Sequence, residues 1–498
     1  MSVTAGRQLD PPTLSSREGE APRRLAWANE LFLVGILLAA AGIGWAFPFR
    51  AVKFGLMGFF AVVMIVQALQ RPAVALALTI AGIPAIGLVP PNIIPIRGVN
   101  PETILILFLL FLWARANQLY GREPLRSLVG RFLLLYAGLI LVSAFRSWLI
   151  WKVSLFNILA AAKNHLSYMV FYGTAYHVLR ERRDHRLVLL MSSASLFLVS
   201  LQAIHMSWMA FFAGSLERHR AGSMLAQQPN IFGGALAMYL PLLLLLAINR
   251  IGHRFWNLWF TVVTGAVGFA LILTLSRGAW AGAAAAVVFL AIFWDRKLLV
   301  LLLLMAASWQ LWLPQEAVDR VKKTTQVEGS NAELTAGDQV VEDSAQMRIE
   351  QYKSLPAMMR DHPILGWGYK SFPDVFEKYG TLRRRKGAHT TYCLVGTEEG
   401  VIGLVVLLVV VGVIFFVAMR AAWALGDPFY RQLAAGLGAG MLSMAICMLA
   451  GSRFESQVIY VYYWSLLAVV EREYDLRSLA VAGRGAAGPA RVAATGGP

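Results

Sequence analysis

Charged residues and cysteines are scarce in this 498-residue sequence. Only 15% of its residues are charged and 58% are hydrophobic, a composition that excludes an ordinary soluble globular protein. The two cysteines, Cys393 and Cys447, each lie inside or at the edge of an apolar run. They are too few for a disulfide framework or a cysteine-based zinc site, so we expect both to be inert packing residues.

Several motifs of soluble and metal-dependent enzymes are also missing. The sequence has no Walker motif, no glycine-rich dinucleotide fingerprint and no His-Glu-x-x-His metal site, so the energy for any reaction has to come with the substrate. Phe47–Arg50, the loop between the first two predicted membrane helices, has no acidic residue. It therefore differs from the transferases that use lipid-linked sugars with a metal-assisted carboxylate. We expect no metal and no cofactor.

Long apolar runs are what the sequence does contain. They recur from Leu31 to Val470 at the length of about 20 residues that a helix needs to cross a bilayer. The pattern predicts an all-α polytopic membrane protein with about 12–14 transmembrane helices. The candidate spans are 28–47, 51–69, 72–90, 99–116, 130–148, 158–179, 187–212, 230–248, 257–275, 278–294, 298–313, 398–419, 432–450 and 456–471.

Basic residues predict the orientation of these spans. The net charge is +17, from 45 Lys+Arg against 28 Asp+Glu, and the excess lies in short loops, as is typical of cytosolic loops. No long basic stripe with interleaved aromatics indicates nucleic-acid binding. With both termini in the cytosol, every cytosolic loop is basic. These loops carry Arg71, Arg115, Arg122, Arg126, Arg180, Arg186, Arg250, Arg254, Arg296, Lys297, Arg420, Arg431, Arg472 and Arg477.

The domain organisation follows from this topology. We predict disordered cytosolic tails at 1–27 and 472–498, N-terminal membrane helices over 28–313, and C-terminal membrane helices over 391–471. Between them, 314–390 forms one large polar segment of helical structure on the outer side. Within it, the spacing of apolar residues suits a helix lying against the membrane. Those residues are Met347, Tyr352, Leu355 and Met358.

Three outer residues are candidates for chemistry. Arg220 lies in a polar loop. Arg277 has apolar sequence on both sides, where an uncompensated charge is costly. His389 ends the outer segment near a basic run, which favours the neutral imidazole that a general base needs. Each also has a plainer possible role: Arg220 as an interfacial anchor, Arg277 as a snorkelling side chain and His389 as a solvated loop histidine.

Short motifs in the second half of the chain stand in the order of a known superfamily. They are Arg220-Ala-Gly-Ser with Pro229-Asn230, Leu275-Ser-Arg-Gly-Ala-Trp280, Met347-Arg-Ile, Asp361-His-Pro-Ile-Leu-Gly-Trp-Gly368, His389 with Tyr392, and Glu398-Glu-Gly-Val-Ile-Gly403. In these the sequence resembles the bacterial O-antigen ligases and the related O-antigen and exopolysaccharide polymerases. One departure is Thr390, because the family commonly has Asn directly after the histidine. The proline and glycines of 361–368 predict a structural corner.

The resemblance implies a GT-C-like ligase/polymerase architecture and a metal-independent, inverting glycosyl transfer. The donor would be an undecaprenyl-diphosphate-linked glycan, and the acceptor a hydroxyl at the periplasmic face of a bacterial inner membrane. Arg220 and Arg277 would bind the diphosphate, and His389 would activate the hydroxyl. The supporting candidates are Glu398, Arg383 and Arg384. The basic run 383–386 also suits anionic membrane lipids.

The acceptor separates the two activities within this superfamily. A ligase would use a lipid A-core sugar, whereas a polymerase would use the end sugar of a second lipid-linked glycan. Alternatives of another kind are a lipid-glycan flippase or a secondary transporter, for which internal repeats and mid-span ionisable groups are expected. A non-catalytic partner of a polysaccharide machine is a further alternative.

Overall fold

The computed structural model describes residues 50–84, 101–122, 126–212, 220–222, 228–249, 254–308, 315, 317–319, 336–380, 387–451 and 457–486. The chain divides into two compact units, Met1–Val62 and Val63–Pro498. In the first unit, the described residues are the beginning of helix α1 (Arg50–Gln70). The second unit holds the rest of α1 and the other described helices.

All the regular secondary structure of the described residues is helical, which confirms the all-α prediction. After α1, the helices are α2 (Pro72–Gly82), α3 (Pro101–Tyr120), α4 (Leu128–Trp151), α5 (Leu155–Val178), α6 (Arg182–Phe212), α7 (Pro229–Ile248), α8 (Arg254–Leu273), α9 (Arg277–Phe293), α10 (Lys297–Ala307), α11 (Ala336–Met359), α12 (Phe372–Tyr379), α13 (Thr391–Ala424), α14 (Pro428–Leu449) and α15 (Gln457–Ala486).

Seven of the described helices are long and apolar enough to cross a bilayer: α3, α4, α6, α7, α8, α13 and α14. Shorter apolar helices occur at Phe60–Gln70, Pro72–Gly82, Arg277–Phe293 and Lys297–Ala307. The chain is therefore a multi-pass membrane protein. Each predicted span overlaps a helix, except 28–47, which lies outside the described residues.

Small residues let α14 pack closely against α7, α9 and α13. A Cβ atom on Gly436 of α14 would lie 2.5 Å from the Cα of Leu242 in α7. A Cβ atom on Gly282 of α9 would lie 2.6 Å from the carbonyl oxygen of Ser443 in α14. Close backbone approach of this kind is a main source of helix association in membranes. Helix α14 is thus the central contact partner of the C-terminal half.

Loops predicted to face the cytosol meet at one end of the bundle. The contacts are side-chain hydrogen bonds and one ion pair between residues far apart in sequence. They join Arg115 with Leu69, Arg180 with Tyr120, Arg182 with Asp427, and Trp294 with Gln432. These contacts group the loops at one end, while the alternation of the spans and the side of the membrane that this end faces stay predictions.

The predicted C-terminal tail differs from the structure. Helix α15 continues to Ala486, so residues 472–486 are helical. The Arg472 Nη1 atom donates to the Tyr176 carbonyl oxygen at 2.8 Å, and the Tyr176 hydroxyl donates to Asp475 Oδ2 at 2.7 Å. These bonds to α5 explain why the helix continues past its apolar part. The predicted N-terminal tail, 1–27, lies outside the described residues.

Helices α11 and α12 and the start of α13 form a small core of their own. Its buried members are Met347, Met358, Trp367, Phe372, Val375, Phe376, Cys393 and Leu394. The apolar face of α11 therefore packs largely on α12 and α13, whereas the sequence predicted that it would lie against the membrane. The helical spacing shows that one face is buried but does not show which partner covers it.

Candidate functional site

Arg277 begins helix α9 directly after a tight turn from α8. In this turn Leu275 has a φ of 48°, which is uncommon for a residue with a side chain. The side chains of Thr274 and Leu275 are buried. A Cβ atom on Gly233 of α7 would lie 2.9 Å from the Thr274 Oγ1 atom. The turn is thus fixed by close packing, and it places Arg277 at the positive end of the α9 dipole.

Arg220 is anchored on the same turn. Its Nε atom donates to the Thr274 carbonyl oxygen at 2.8 Å, and its Nη2 atom contacts the Leu275 carbonyl oxygen at 3.4 Å. Helix ends leave such carbonyls without intrahelical partners, so a guanidinium is a suitable donor here. The Nη2 atom also donates to Asn230 Oδ1 at 2.8 Å. One short turn therefore carries both Arg277 and two of the partners of Arg220, Thr274 and Leu275.

His389 lies just before α13, and its backbone is held by a side chain of α11. The backbone N–H of His389 donates to Gln351 Oε1 at 2.8 Å, and Gln351 Nε2 donates to the Gly387 carbonyl oxygen at 3.0 Å. Gln351 is fully buried. Thr390 then caps α13, because its Oγ1 accepts a hydrogen bond from the Cys393 N–H at 3.4 Å. The segment around His389 is therefore fixed to two helices.

The C-terminal turns of α14 connect these two parts of the site. The Cys447 thiol contacts the carbonyl oxygen of Gly278, the second residue of α9, at 3.4 Å. The Tyr392 hydroxyl, at the start of α13, donates to the Ala445 carbonyl oxygen at 3.0 Å. The arginine that begins α9 and the histidine before α13 are thus at the same end of the bundle. Helix α14 is the element that both neighbourhoods contact.

Helix α13 is broken at Gly400, where φ is 70° and ψ is −160°. A helix break leaves carbonyl groups without intrahelical partners, which is costly inside a membrane. Here the corner formed by residues 361–368, which follows α11, supplies the donors. The Trp367 N–H donates to the Thr397 carbonyl oxygen, and the Gly368 N–H to that of Glu398, both at 2.9 Å.

The same corner supplies acceptors on the other side of the break. The Val401 N–H donates to the Pro363 carbonyl oxygen at 2.8 Å, and the Ile402 N–H to that of Ile364 at 3.2 Å. The corner is thus inserted into the broken helix, and both backbones satisfy each other. The prediction of a structural corner at 361–368 is confirmed.

Glu398 lies at this break with its side chain buried. Its Oε1 atom accepts a hydrogen bond from the N–H of Phe372, the first residue of α12, at 3.1 Å. Its carbonyl oxygen also accepts one from the Ser143 hydroxyl of α4 at 3.1 Å. A carboxylate at a helix N-terminus is stabilising. These contacts hold the corner together, and support of His389 by Glu398 stays a prediction.

The corner also carries a second outer histidine, His362. Its Nδ1 atom lies 2.9 Å from Arg146 Nη2, and its ring meets the Trp367 ring edge-on at 4.2 Å. Burial and the Arg146 guanidinium lower the pKa of His362 below its ordinary value of 6.5. The ring is accordingly neutral at neutral pH, so Nδ1 can accept the hydrogen bond from Arg146. This pair fastens α4 to the corner.

Two residues with clear roles in the geometry were not among the predicted site residues, Asn230 and Gln351. Asn230 directly follows Pro229 in a motif that the sequence does show, so its pairing with Arg220 had a detectable signal. Gln351 follows Met347-Arg-Ile, but a single glutamine on a helix gives no pattern. The predicted supporting residues Arg383 and Arg384 lie outside the described residues.

The fold and the site together define a class, that of all-helical multi-pass membrane proteins with arginines and a histidine gathered at one end of the bundle. Residues 259–408 match the model of the Wzy_C family, described as O-antigen ligase. The match supports membership of the O-antigen ligase and polymerase superfamily, and with it a ligase/polymerase type of glycosyl transfer. It contains Arg277 and His389, whereas Arg220 precedes it. No curated protein matches the chain.

Proposed function

We propose that the protein transfers a glycan from an undecaprenyl-diphosphate carrier to an acceptor hydroxyl at the periplasmic face of a bacterial inner membrane. The observation that carries this proposal is the α8–α9 turn, which holds Arg220 and begins the helix of Arg277. His389 lies at the same end of the bundle. The family match at 259–408 supports the reaction class.

The two arginines bind the diphosphate of the donor. Arg220 is oriented by Thr274 and Asn230, and Arg277 stands where the α9 dipole favours an anion. Negative charge builds on the diphosphate as the bond from its oxygen to the anomeric carbon breaks. Guanidinium groups placed before the reaction stabilise that charge without reorganising, which lowers the barrier.

His389 acts as the general base. The acceptor hydroxyl gives its proton to the imidazole while its oxygen forms a bond to the anomeric carbon. The carrier diphosphate leaves with the electron pair of the broken bond. Attack opposite the leaving group inverts the anomeric centre. Because the donor is already an activated glycosyl diphosphate, the protein's own side chains suffice for this step.

The acceptor in this proposal is a sugar of the lipid A-core, as for a ligase. The second candidate is a polymerase that uses the end sugar of another lipid-linked glycan, and the family match supports this as well. In cells that lack the gene, glycan polymer accumulating on the carrier indicates a ligase. Loss of all high-molecular-weight polymer indicates a polymerase.

The test uses purified protein in liposomes with an undecaprenyl-diphosphate-linked glycan and each acceptor in turn. We expect Arg220→Ala, Arg277→Ala and His389→Ala each to lower the rate at least ~100-fold. The control is Arg360→Ala, which removes an exposed arginine of the outer segment and should leave the rate unchanged. Full activity of all three site variants would exclude the mechanism. Movement of the lipid-linked glycan between leaflets without a new glycosidic bond would indicate a flippase.

A further inference from the structure

Gln351 makes a two-point contact with the segment that carries His389. The side chain comes from the middle of α11 and is fully buried. Its amide accepts from the His389 N–H and donates to the Gly387 carbonyl oxygen. We infer that Gln351 is a positioning residue for His389, an inference that rests on the proposed role of His389 as the base.

The two hydrogen bonds fix the backbone on both sides of Ala388. In a parallel β-ladder, one residue makes the same two bonds to the residues before and after its partner on the neighbouring strand. Gln351 makes them with its side chain. A buried carboxamide must satisfy its donor and its acceptor, since an unmade bond costs free energy. Here the Gly387 carbonyl requires a donor and the His389 N–H requires an acceptor, so only one orientation of the Gln351 amide fits. The contact therefore favours one position of the segment.

The segment needs such a contact because its own sequence does not stiffen it. Gly387 is exposed, and apart from its chain neighbours no atom of the described residues lies within 4 Å of the position that a Cβ would take. A glycine in open space leaves the backbone free. A general base has to lie within hydrogen-bond reach of the hydroxyl that it deprotonates. Displacement of about 1 Å at such a centre can cost ~100-fold in rate.

The next residue of α11 contacts the segment on the other side of His389. The Thr390 hydroxyl donates to the Tyr352 hydroxyl at 3.0 Å, and the Tyr352 hydroxyl donates to the Leu449 carbonyl oxygen of α14 at 3.0 Å. Helix α11 thus contacts the chain at Gly387, at the His389 backbone and at Thr390, and ties this segment to α14. Since α14 also contacts the start of α9, the position of α11 determines how His389 lies relative to the arginines.

The experiment measures kcat and donor KM in the liposome assay for variants of one residue. Gln351→Met keeps the length of the side chain and removes both bonds, and Gln351→Glu keeps only the acceptor for the His389 N–H. We expect kcat to fall ~10–100-fold in Gln351→Met, with donor KM within about twofold of the wild type. Gln351→Glu should recover part of kcat. The control Ser354→Ala alters a buried hydroxyl of the same helix, whose bond is to Glu350 on that helix, and should behave as wild type.

Several outcomes would contradict the inference or the proposed function. Wild-type kcat in Gln351→Met overturns the inference, as does an equal loss in Ser354→Ala, which indicates general damage to α11. If Gln351→Met does not fold, Gln351→Asn is measured in its place, because asparagine keeps the amide on a side chain that is shorter by one methylene. Wild-type kcat in Gln351→Asn also overturns the inference. His389→Ala is measured alongside. Activity of that variant refutes the proposed function itself, whereas an inactive His389→Ala beside a fully active Gln351→Met refutes only the positioning role.

Discussion

The Arg220 guanidinium donates a hydrogen bond to the side-chain oxygen of Asn230 at 2.8 Å. Asn230 is the second residue of α7, so the bond joins an arginine of the preceding loop to the start of a membrane helix. Arg220 also donates to the Thr274 carbonyl oxygen after α8. The guanidinium is therefore oriented from two helices before any substrate binds, and preorganisation of this kind lowers the cost of binding an anion.

Replacing Asn230 should weaken donor binding. Asn230→Ala removes one of the acceptors that orient Arg220 and leaves the Thr274 carbonyl in place. A hydrogen bond to a charged group contributes about 1.5–3 kcal/mol, and about 1.4 kcal/mol corresponds to tenfold. We expect donor KM to rise ~10-fold or more, measured by donor titration in the liposome assay.

Asn230→Gln is the matched control, since it keeps a neutral amide oxygen that can accept from Arg220, whereas an aspartate would add a carboxylate beside the diphosphate site. Its donor KM should be closer to the wild type than that of Asn230→Ala. Equal KM values for the wild type and Asn230→Ala would show that the bond does not orient Arg220 for the donor.

The interlock between the 361–368 corner and α13 makes a prediction about stability. At Gly400, where φ is 70°, a Cβ would lie 2.4 Å from the Ile364 carbonyl oxygen. At Gly366, where φ is 64°, it would lie 2.4 Å from the Glu398 carbonyl carbon. The neighbours in both cases are backbone atoms that cannot move aside. Gly400→Ala and Gly366→Ala should each destabilise the protein by at least about 1–3 kcal/mol.

Thermal unfolding in detergent measures this effect, and α13 offers a matched control. Gly412 is in the same helix, and outside its own helical backbone no atom of the described part of the chain lies within 4 Å of its Cβ position. Gly412→Ala should leave Tm unchanged or raise it, because alanine is the better helix former by about 1 kcal/mol. If Gly400→Ala and Gly412→Ala unfold at the same temperature, the close contact at the break is wrong.

The helices of this fold are predictable from sequence, because hydrophobic runs and basic loops act locally. The corner was also predictable, since Pro363, Gly366 and Gly368 are local turn signals. The break at Gly400 was not. The predicted span began at 398, so Glu398, Glu399 and Gly400 are read from sequence as its polar first turn, and the groups that satisfy the broken helix come from a distant part of the chain. A local pattern cannot show that a glycine beside an apolar run is there to admit another backbone.

In the candidate site, too, local features were predictable from sequence and long-range contacts were not. Arg220, Arg277 and His389 were identified by their surroundings and by the resemblance, but their grouping depends on contacts of α14 that no spacing reveals. Gln351 illustrates the limit. Its importance comes from the contact between its side-chain amide and the loop that carries His389. A single contact of this kind leaves no mark on composition or periodicity, so the sequence does not reveal it. The disorder predicted from residue 472 was wrong up to Ala486 for a similar reason, because Tyr176 stabilises α15 there through Arg472 and Asp475.

The lowered pKa of His362 predicts a pH dependence of stability. In the unfolded chain this histidine has its ordinary pKa of about 6.5, whereas burial and Arg146 lower it in the folded protein. Between the two pKa values the unfolded state binds more protons, so stability falls as the pH falls through 6.5 towards the folded pKa. His362→Gln removes this contribution. Its Tm should fall less than that of the wild type between pH 7.5 and pH 5.5.

The readout is the difference between the two proteins, which cancels the titration of the groups that they share. Both are unfolded thermally in the same detergent at each pH. Parallel curves of Tm against pH for the wild type and His362→Gln would mean that folding does not lower the pKa of His362.

The orientation of the bundle can be tested with the two native thiols left in place. Cys393 and Cys447 are both fully buried, so a maleimide should not label the folded wild-type protein. Ile364, on the corner, is 63% exposed. Ile364→Cys should therefore be labelled by a membrane-impermeant maleimide added to intact spheroplasts, as expected for a residue on the periplasmic side.

Arg296→Cys is the opposing control, because Arg296 is exposed between α9 and α10 at the end predicted to be cytosolic. It should be labelled only after the membrane is permeabilised. The reverse result for the two variants would invert the bundle and place His389, which shares the end of the corner, on the cytosolic side. The proposed periplasmic acceptor would then be excluded even if the arginines and the histidine proved essential. Labelling of the wild type before denaturation would instead show that the packing around α13 and α14 is looser than the structure has it.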